Sequence, residues 1–269
     1  MTVFFILRLK GACRNAERDE TVVNVATLRA VYSAISVGST TRYNWGMANQ
    51  AYLSIWLKEF PEDSMLEEFG KFLATVPYSP KRPGFTYLEI QALEPGESPV
   101  LEQDLRAMPL DAASIVQLST DHLNSDSRYA VRANWDLWVF EGEPAKWQQL
   151  PQPIELVCNG ELYAEGIWKE DGHFEVNFGF EHLFTGHGGL LGIRQIARRP
   201  ESPEEAHFLE SMAKPANLQM YQEKTRENIK SLFAWVRKME DALPVAKLKL
   251  WSEGEENFEA RMEEILAAH

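Results

Sequence analysis

The sequence predicts an α+β protein, in which an antiparallel sheet built mainly from residues 129–180 packs against helices from the N-terminal and C-terminal parts of the chain. Residues 129–180 contain short segments in which apolar and polar side chains alternate, as in strands with one buried face. Turn residues rather than helices separate these segments, which favours antiparallel neighbours. From residue 200 onward, apolar residues recur at helical spacing instead.

The chain has 269 residues, a length compatible with one large domain or with two small ones. We assign residues 1–120 to a mixed α/β part, residues 121–199 to an antiparallel β meander, and residues 200–269 to a helical part. All three parts can also form one domain, because the polar stretch 119–128 is a weak boundary signal.

The composition of the chain narrows its class of partners. The formal net charge is −13, and no cluster of lysine and arginine is visible. Such a chain repels the phosphates of nucleic acids and of anionic membranes, so we expect neither as a partner. The apolar run 3–7 is too short for a signal peptide, and two cysteines indicate no disulfide framework. We therefore expect a cytoplasmic location.

The N-terminal part begins with a predicted strand over residues 3–10. A helix over residues 21–36 follows and ends at Gly38. Residues 39–46 form a loop rich in hydrogen-bonding and aromatic groups, and a second helix is predicted over residues 47–59.

A third helix is predicted to begin at Ser64, because Ser64 and Glu67 have the spacing of a capping box, and to end before Pro77. The next predicted elements are a strand over 85–93, a helix over 99–108 and a strand over 114–118.

The meander opens with a long alternating strand over residues 129–141. The later strands are predicted over residues 147–150, 154–158, 163–168 and 173–180, with turns at Asn159-Gly160 and Asp171-Gly172.

The helical part begins at Ser202-Pro203, where an N-cap residue precedes proline at the first helical position. A long helix follows over residues 217–243, then a strand over 245–251 and a final helix capped by Ser252 and Glu255. The apolar seam of the 217–243 helix has coiled-coil spacing, which is compatible with a protein partner or a homodimer. The alternative is that the seam packs inside the protein.

The window from residue 173 to residue 187 contains half of the six histidines. Catalytic zinc is bound by a few histidine nitrogens and a carboxylate, and one position stays open for water. We therefore consider His173, Glu175, His182 and His187 as ligands for a divalent metal such as zinc or manganese, with Glu181 as a further carboxylate. The alternative is that His173 and Glu175 belong to the solvated face of a half-buried strand.

A second candidate site is the loop that precedes residue 46. Arg42 offers a forked donor, Tyr43 and Trp45 offer stacking faces, and Asn44 adds an amide. These groups suit a carboxylate, a phosphate or a peptide. The alternative is an ordinary loop between helices, whose aromatic side chains pack under neighbouring elements.

Motifs for catalysis are weak, so the sequence leaves open whether the protein is an enzyme. No Gly-x-Ser-x-Gly elbow occurs, and neither Cys13 nor Cys158 lies in a nucleophile motif. We expect a non-catalytic binding or protein-interaction module without a cofactor. The alternative function is a metal-dependent hydrolase centred on the histidine window.

Overall fold

The computed structural model describes residues 49–141, 146–186 and 203–267. Within these ranges the strands are β1 (Gln50–Leu57), β2 (Tyr87–Ala92), β3 (Leu101–Asp104), β4 (Ser127–Glu141), β5 (Lys146–Asn159), β6 (Phe174–Phe180) and β7 (Val245–Ser252). The α-helices of the same ranges are α1 (Glu62–Leu73), α2 (Ala112–Ser119), α3 (Trp168–Asp171), α4 (His182–Thr185), α5 (Pro203–Met212), α6 (Pro215–Ala242) and α7 (Phe258–Ala267).

The described strands form one antiparallel sheet in the order β3-β2-β4-β5-β6-β1-β7. This confirms the predicted α+β class. The sheet extends beyond residues 129–180, because β1, β2 and β3 come from earlier in the chain and β7 from later. β1 lies between β6 and β7, so the meander and the C-terminal part are joined through it.

The longer helices cover one face of the sheet, and the core lies between the two layers. Phe72 of α1 stacks on Phe174 of β6, with ring centroids 4.7 Å apart. Trp235 of α6 meets Trp135 of β4 edge to face, with centroids 5.2 Å apart. All four side chains are buried, and burying one such side chain contributes about 2 kcal/mol.

Helix α6 confirms the helix predicted over residues 217–243, and its apolar seam packs inside the protein. Ile229, Leu232 and Met239 are buried in the core. The seam is therefore not exposed for a protein partner or for a second copy of the chain.

The helix predicted over residues 47–59 is wrong, because residues 50–57 form the strand β1. The side chains of β1 that face the helices recur at every second residue, and they are Ala51, Leu53, Ile55 and Leu57. β1 has a hydrogen-bonded neighbour on each side, and this pairing decides its conformation over local propensity.

Two shorter elements also differ from their predictions. β3 replaces part of the helix predicted over residues 99–108, because it pairs with β2. α2 replaces the strand predicted over residues 114–118, because Asp111 caps a helix by accepting the N–H of Ser114 at 2.8 Å.

β5 is one continuous strand where the sequence predicts two. Pro151 and Pro153 lie in the part of β5 that pairs with β4 but not with β6. Their missing N–H groups therefore interrupt no ladder. The strand predicted over residues 163–168 is wrong, because these residues form a 3-10 turn and the start of α3.

The capping box predicted for α1 is also wrong. α1 begins at Glu62 with Pro61 at the N-cap, so Ser64 lies inside the first turn. Glu67 instead forms an ion pair with Lys71 at 2.8 Å.

The elements predicted over residues 3–10, 21–36 and 39–46 lie outside the described residues. Among the helices that the structure describes, none combines the length and the apolar character needed to cross a bilayer.

Candidate functional site

Three loops meet at one end of the sheet, where β2 and β5 end and β3 and β4 begin. They are residues 93–100, residues 123–126 and residues 160–166, and we call them the loop platform. None of the three belongs to the sheet ladder, yet hydrogen bonds join them to one another.

The bonds between the loops run through the backbone. The N–H of Leu93 donates to the carbonyl of Asp126 at 2.9 Å, and the N–H of Leu162 donates to the carbonyl of Ser125 at 2.8 Å. The N–H of Ala164 donates to the carbonyl of Leu93, also at 2.8 Å. The platform is therefore ordered before any ligand arrives, which lowers the entropy cost of binding.

The platform holds strained backbone. Leu93 has φ 68°, Ala164 has φ 48° and Glu165 has φ 56°, and among the described residues these are the non-glycine residues with positive φ. Each such residue costs about 1–3 kcal/mol and persists only where its surroundings impose it. Strain of this kind concentrates at functional sites, and the three strained residues named here all lie in the platform.

Apolar side chains point into solvent from the same loops. Leu93 is 60% exposed and Leu162 is 66% exposed, and Val100 is exposed as well. Tyr163, next to Leu162, is buried instead, and its hydroxyl donates to the side-chain oxygen of Gln91 at 3.1 Å. The loop is thus anchored by Tyr163 and presents Leu162 outward. Clustered exposed apolar groups are typical of a protein-binding surface.

The platform is acidic. Its carboxylates are those of Glu94, Glu97, Asp126, Glu161 and Glu165, and no lysine or arginine lies within its three loops. A surface that combines apolar side chains with carboxylates favours a partner that is both apolar and basic.

The sheet face opposite the helices carries a polar row that crosses all described strands. Its members in spatial order are Asp104, Tyr87, Arg132, Glu155, Asn177, Tyr52 and Trp251. Arg132 donates to Glu155 at 2.9 Å and lies over the ring of Tyr87 at 4.4 Å. Tyr52 stacks on Trp251 with centroids 4.4 Å apart. These cross-strand pairs stabilise the sheet, so the row has a structural explanation.

His173 is buried rather than solvated, with 3% of its surface exposed. Its Nδ1 accepts the backbone N–H of Leu57 at 3.0 Å, and its ring lies against Trp168 and Phe60, with centroids 4.4 and 4.6 Å away. Burial lowers the pKa of His173 to about 4. The neutral ring therefore carries its proton on Nε2, which lies 4.0 Å from a carboxylate oxygen of Glu161.

The predicted metal ligands do not come together in the described residues. A metal on His173 would need a free nitrogen lone pair, and the available one accepts the N–H of Leu57. Glu175 is the second residue of β6, and His182 starts α4 and stacks on Phe180. In the part of the chain that is described, no group of three or more histidine, cysteine, aspartate or glutamate side chains is placed to hold a metal. The zinc site that also includes His187 stays a prediction, since His187 lies outside that part.

A cleft of about 580 Å³ opens beside α4 and α7. Glu181, the further carboxylate considered for the metal site, lines it, but His173, Glu175 and His182 do not. Glu181 accepts the N–H of Gly254 at 3.1 Å. The cleft therefore does not gather the predicted ligands.

The second predicted site, formed by Arg42, Tyr43, Asn44 and Trp45, lies outside the described residues. Its role in binding a carboxylate, a phosphate or a peptide stays a prediction.

Comparison of the chain with protein-family models, with curated protein sequences and with solved structures finds no match.

Sequence reasoning missed the loop platform. The turn signals Pro95-Gly96 and Asn159-Gly160 mark two of its loops. Nothing in the sequence shows that Leu93 takes a positive φ, since leucine avoids that region. Nor does the sequence show that the loops join one another.

Proposed function

We propose that the protein is a non-catalytic binding module that holds a basic, partly apolar protein segment on its loop platform. The observation that carries this proposal is the coincidence of backbone strain and exposed leucine side chains at Leu93 and in residues 160–166. If the strain had no function, substitution of these residues by glycine would relieve it at a small cost in free energy.

The chemistry of the platform supports this class of partner. Leu93 and Leu162 offer apolar contacts that exclude water, which is where most binding energy arises. The surrounding carboxylates attract lysine and arginine, and they speed association at low ionic strength. Since backbone hydrogen bonds already fix the loops, little ordering remains to oppose binding.

Selection of peptides from a random display library tests the proposal without a known partner. The full chain is immobilised, and selection is repeated on a variant that carries Leu93→Ser and Leu162→Ser. Both leucines are exposed, so the variant keeps its core. We expect the wild-type chain to enrich peptides with apolar residues flanked by lysine or arginine, and we expect the variant to bind them at least about tenfold more weakly.

A matched control carries Met220→Ser, because Met220 is an exposed apolar side chain on α6, away from the platform. This control should bind the selected peptides like the wild-type chain, and added salt should weaken both equally. Enrichment of acidic peptides, or equal binding by the leucine variant, would show that the platform is not the binding surface.

A further inference from the structure

The second surface suited to binding a partner is the outer edge of β7. β7 is the last strand in the sheet order and pairs with β1, and the described residues place no strand beyond it. It lies at the opposite edge of the sheet from β3, which borders the loop platform.

The hydrogen-bond pattern between β7 and β1 shows which backbone groups of β7 point away from the sheet. The N–H of Glu253 donates to the carbonyl of Gln50 at 3.1 Å, so these two opposite residues form a hydrogen-bonded pair. Such pairs recur at every second residue of an antiparallel ladder. By this alternation Leu248, Leu250 and Ser252 direct their N–H and C=O groups away from β1. With respect to the described residues, the edge therefore offers a row of unused donors and acceptors.

The side chains on this edge are basic, although the whole chain is acidic. The ammonium group of Lys247 lies 4.2 Å from the ring centre of Trp56, and that of Lys249 lies 5.8 Å from that of Trp251. Both lysines are exposed. Among the described residues, neither has an ion-pair partner. Two adjacent cations without counter-charges favour an anionic ligand.

The same lysines decide against a second copy of the chain. Pairing of β7 with β7 of another molecule would bring lysines of both copies together, and like charges across strands are destabilising. Lysine on an edge strand commonly prevents self-association in this way. An acidic strand meets no such repulsion.

We propose that the free edge of β7 accepts an extended acidic segment of a partner protein as an additional strand. Main-chain hydrogen bonds from Leu248, Leu250 and Ser252 would supply affinity, and carboxylates at alternate positions would face Lys247 and Lys249. This surface goes beyond the loop platform, since it selects a partner of opposite charge.

Synthetic peptides of alternating glutamate and valine provide the probe, and binding to the full chain is measured by fluorescence anisotropy. The glutamate peptide should bind with saturation. A peptide of alternating lysine and valine should bind at least about tenfold more weakly. The variant with Lys247→Glu and Lys249→Glu should reverse this preference.

The control for net charge carries Lys214→Glu and Lys230→Glu, because both lysines are exposed and lie outside β7. It should keep the wild-type preference. The variant with Leu93→Ser and Leu162→Ser should also bind the glutamate peptide normally, which separates this proposal from the function of the loop platform.

Two measurements test whether the peptide adds as a strand. N-methylation of alternate residues should abolish binding when it removes the N–H groups on one edge of the peptide, and should be tolerated on the other edge. Hydrogen exchange should slow at the amides of Leu248, Leu250 and Ser252. Absence of saturable binding, equal binding of both N-methylated peptides, or an unchanged charge preference in the β7 variant would overturn the proposal.

Discussion

Ala164 adopts a backbone conformation that glycine would occupy at lower cost. Its φ of 48° lies in the left-handed region, which disfavours residues with a Cβ atom by about 1–2 kcal/mol. Replacement by glycine also lowers the free energy of unfolding by roughly 0.5–1 kcal/mol, because glycine has more conformational entropy in the unfolded chain. We therefore expect Ala164→Gly to raise the free energy of unfolding by up to about 1 kcal/mol, measured by urea denaturation.

Ala206→Gly is the matched control, because Ala206 is an exposed residue within α5. There the same substitution should lower the free energy of unfolding by about 1 kcal/mol. A loss of stability in Ala164→Gly of the same size would show that Ala164 is not strained. If the strain serves binding, the stabilised variant should also bind the selected peptides more weakly.

His173 makes the stability of the fold depend on pH. Its folded pKa is about 4, below the value of about 6.5 expected in the unfolded chain. The unfolded chain therefore binds more protons between these values, and the free energy of unfolding falls as pH drops from about 6.5 toward 4. The loss is at most about 3 kcal/mol.

The substitution His173→Asn isolates this contribution. Asparagine can still accept the N–H of Leu57 and does not titrate. Urea unfolding at several pH values between about 4 and 7 should give a flatter profile for the variant than for the wild-type chain. Parallel profiles would mean that His173 is protonated in the folded state at the lower pH.

At the level of elements, the edge of β4 is completed by a side chain. β2 pairs with β4 only as far as Arg132, and Tyr78 adds one isolated bridge at Trp135. The described residues place no strand beside the last residues of β4 on that side. Asn228 of α6 takes its place: its oxygen accepts the N–H of Trp138 at 2.8 Å, and its amide donates to the carbonyls of Trp138 and Leu183 at 3.0 Å. One amide thereby connects α6, β4 and α4.

We expect Asn228→Ala to lower the free energy of unfolding by about 3 kcal/mol or more. Asn228 is buried, so its removal leaves one N–H and two C=O groups without partners and away from water. Gln222→Ala on the exposed side of α6 should change stability by less than about 0.5 kcal/mol. Equal effects of the two substitutions would mean that water replaces the amide at Trp138.

The sequence predicts the elements in which apolar residues recur regularly over many positions. It does not predict the elements whose conformation depends on pairing with distant strands. The long stripe of α6 and the alternation of β4 and β6 are visible in the sequence because each repeats over many residues. β1 was predicted as a helix, since its alternation is short and its conformation depends on β6 and β7. The alternative that placed His173 on a solvated strand face is wrong, because Phe60, distant in sequence, and Trp168 of α3 both lie against its ring.

At the level of the whole molecule, the sheet combines early and late parts of the chain. β1 pairs with β6 on one side and with β7 on the other, and the core extends from Ala51 to Met262. Long-range pairing of this kind makes the described residues depend on one another for stability.

A chain that ends at residue 243 tests this dependence. The truncation removes β7 and α7, and with them Phe258 and Met262, which are buried in the core. It also leaves β1 as an unprotected edge strand, which promotes aggregation. We therefore expect this chain to aggregate or to lose its cooperative urea transition, whereas a chain that ends at residue 267 should unfold like the full protein. A cooperative transition with an unchanged midpoint in the shorter chain would show that β7 and α7 contribute nothing to the core.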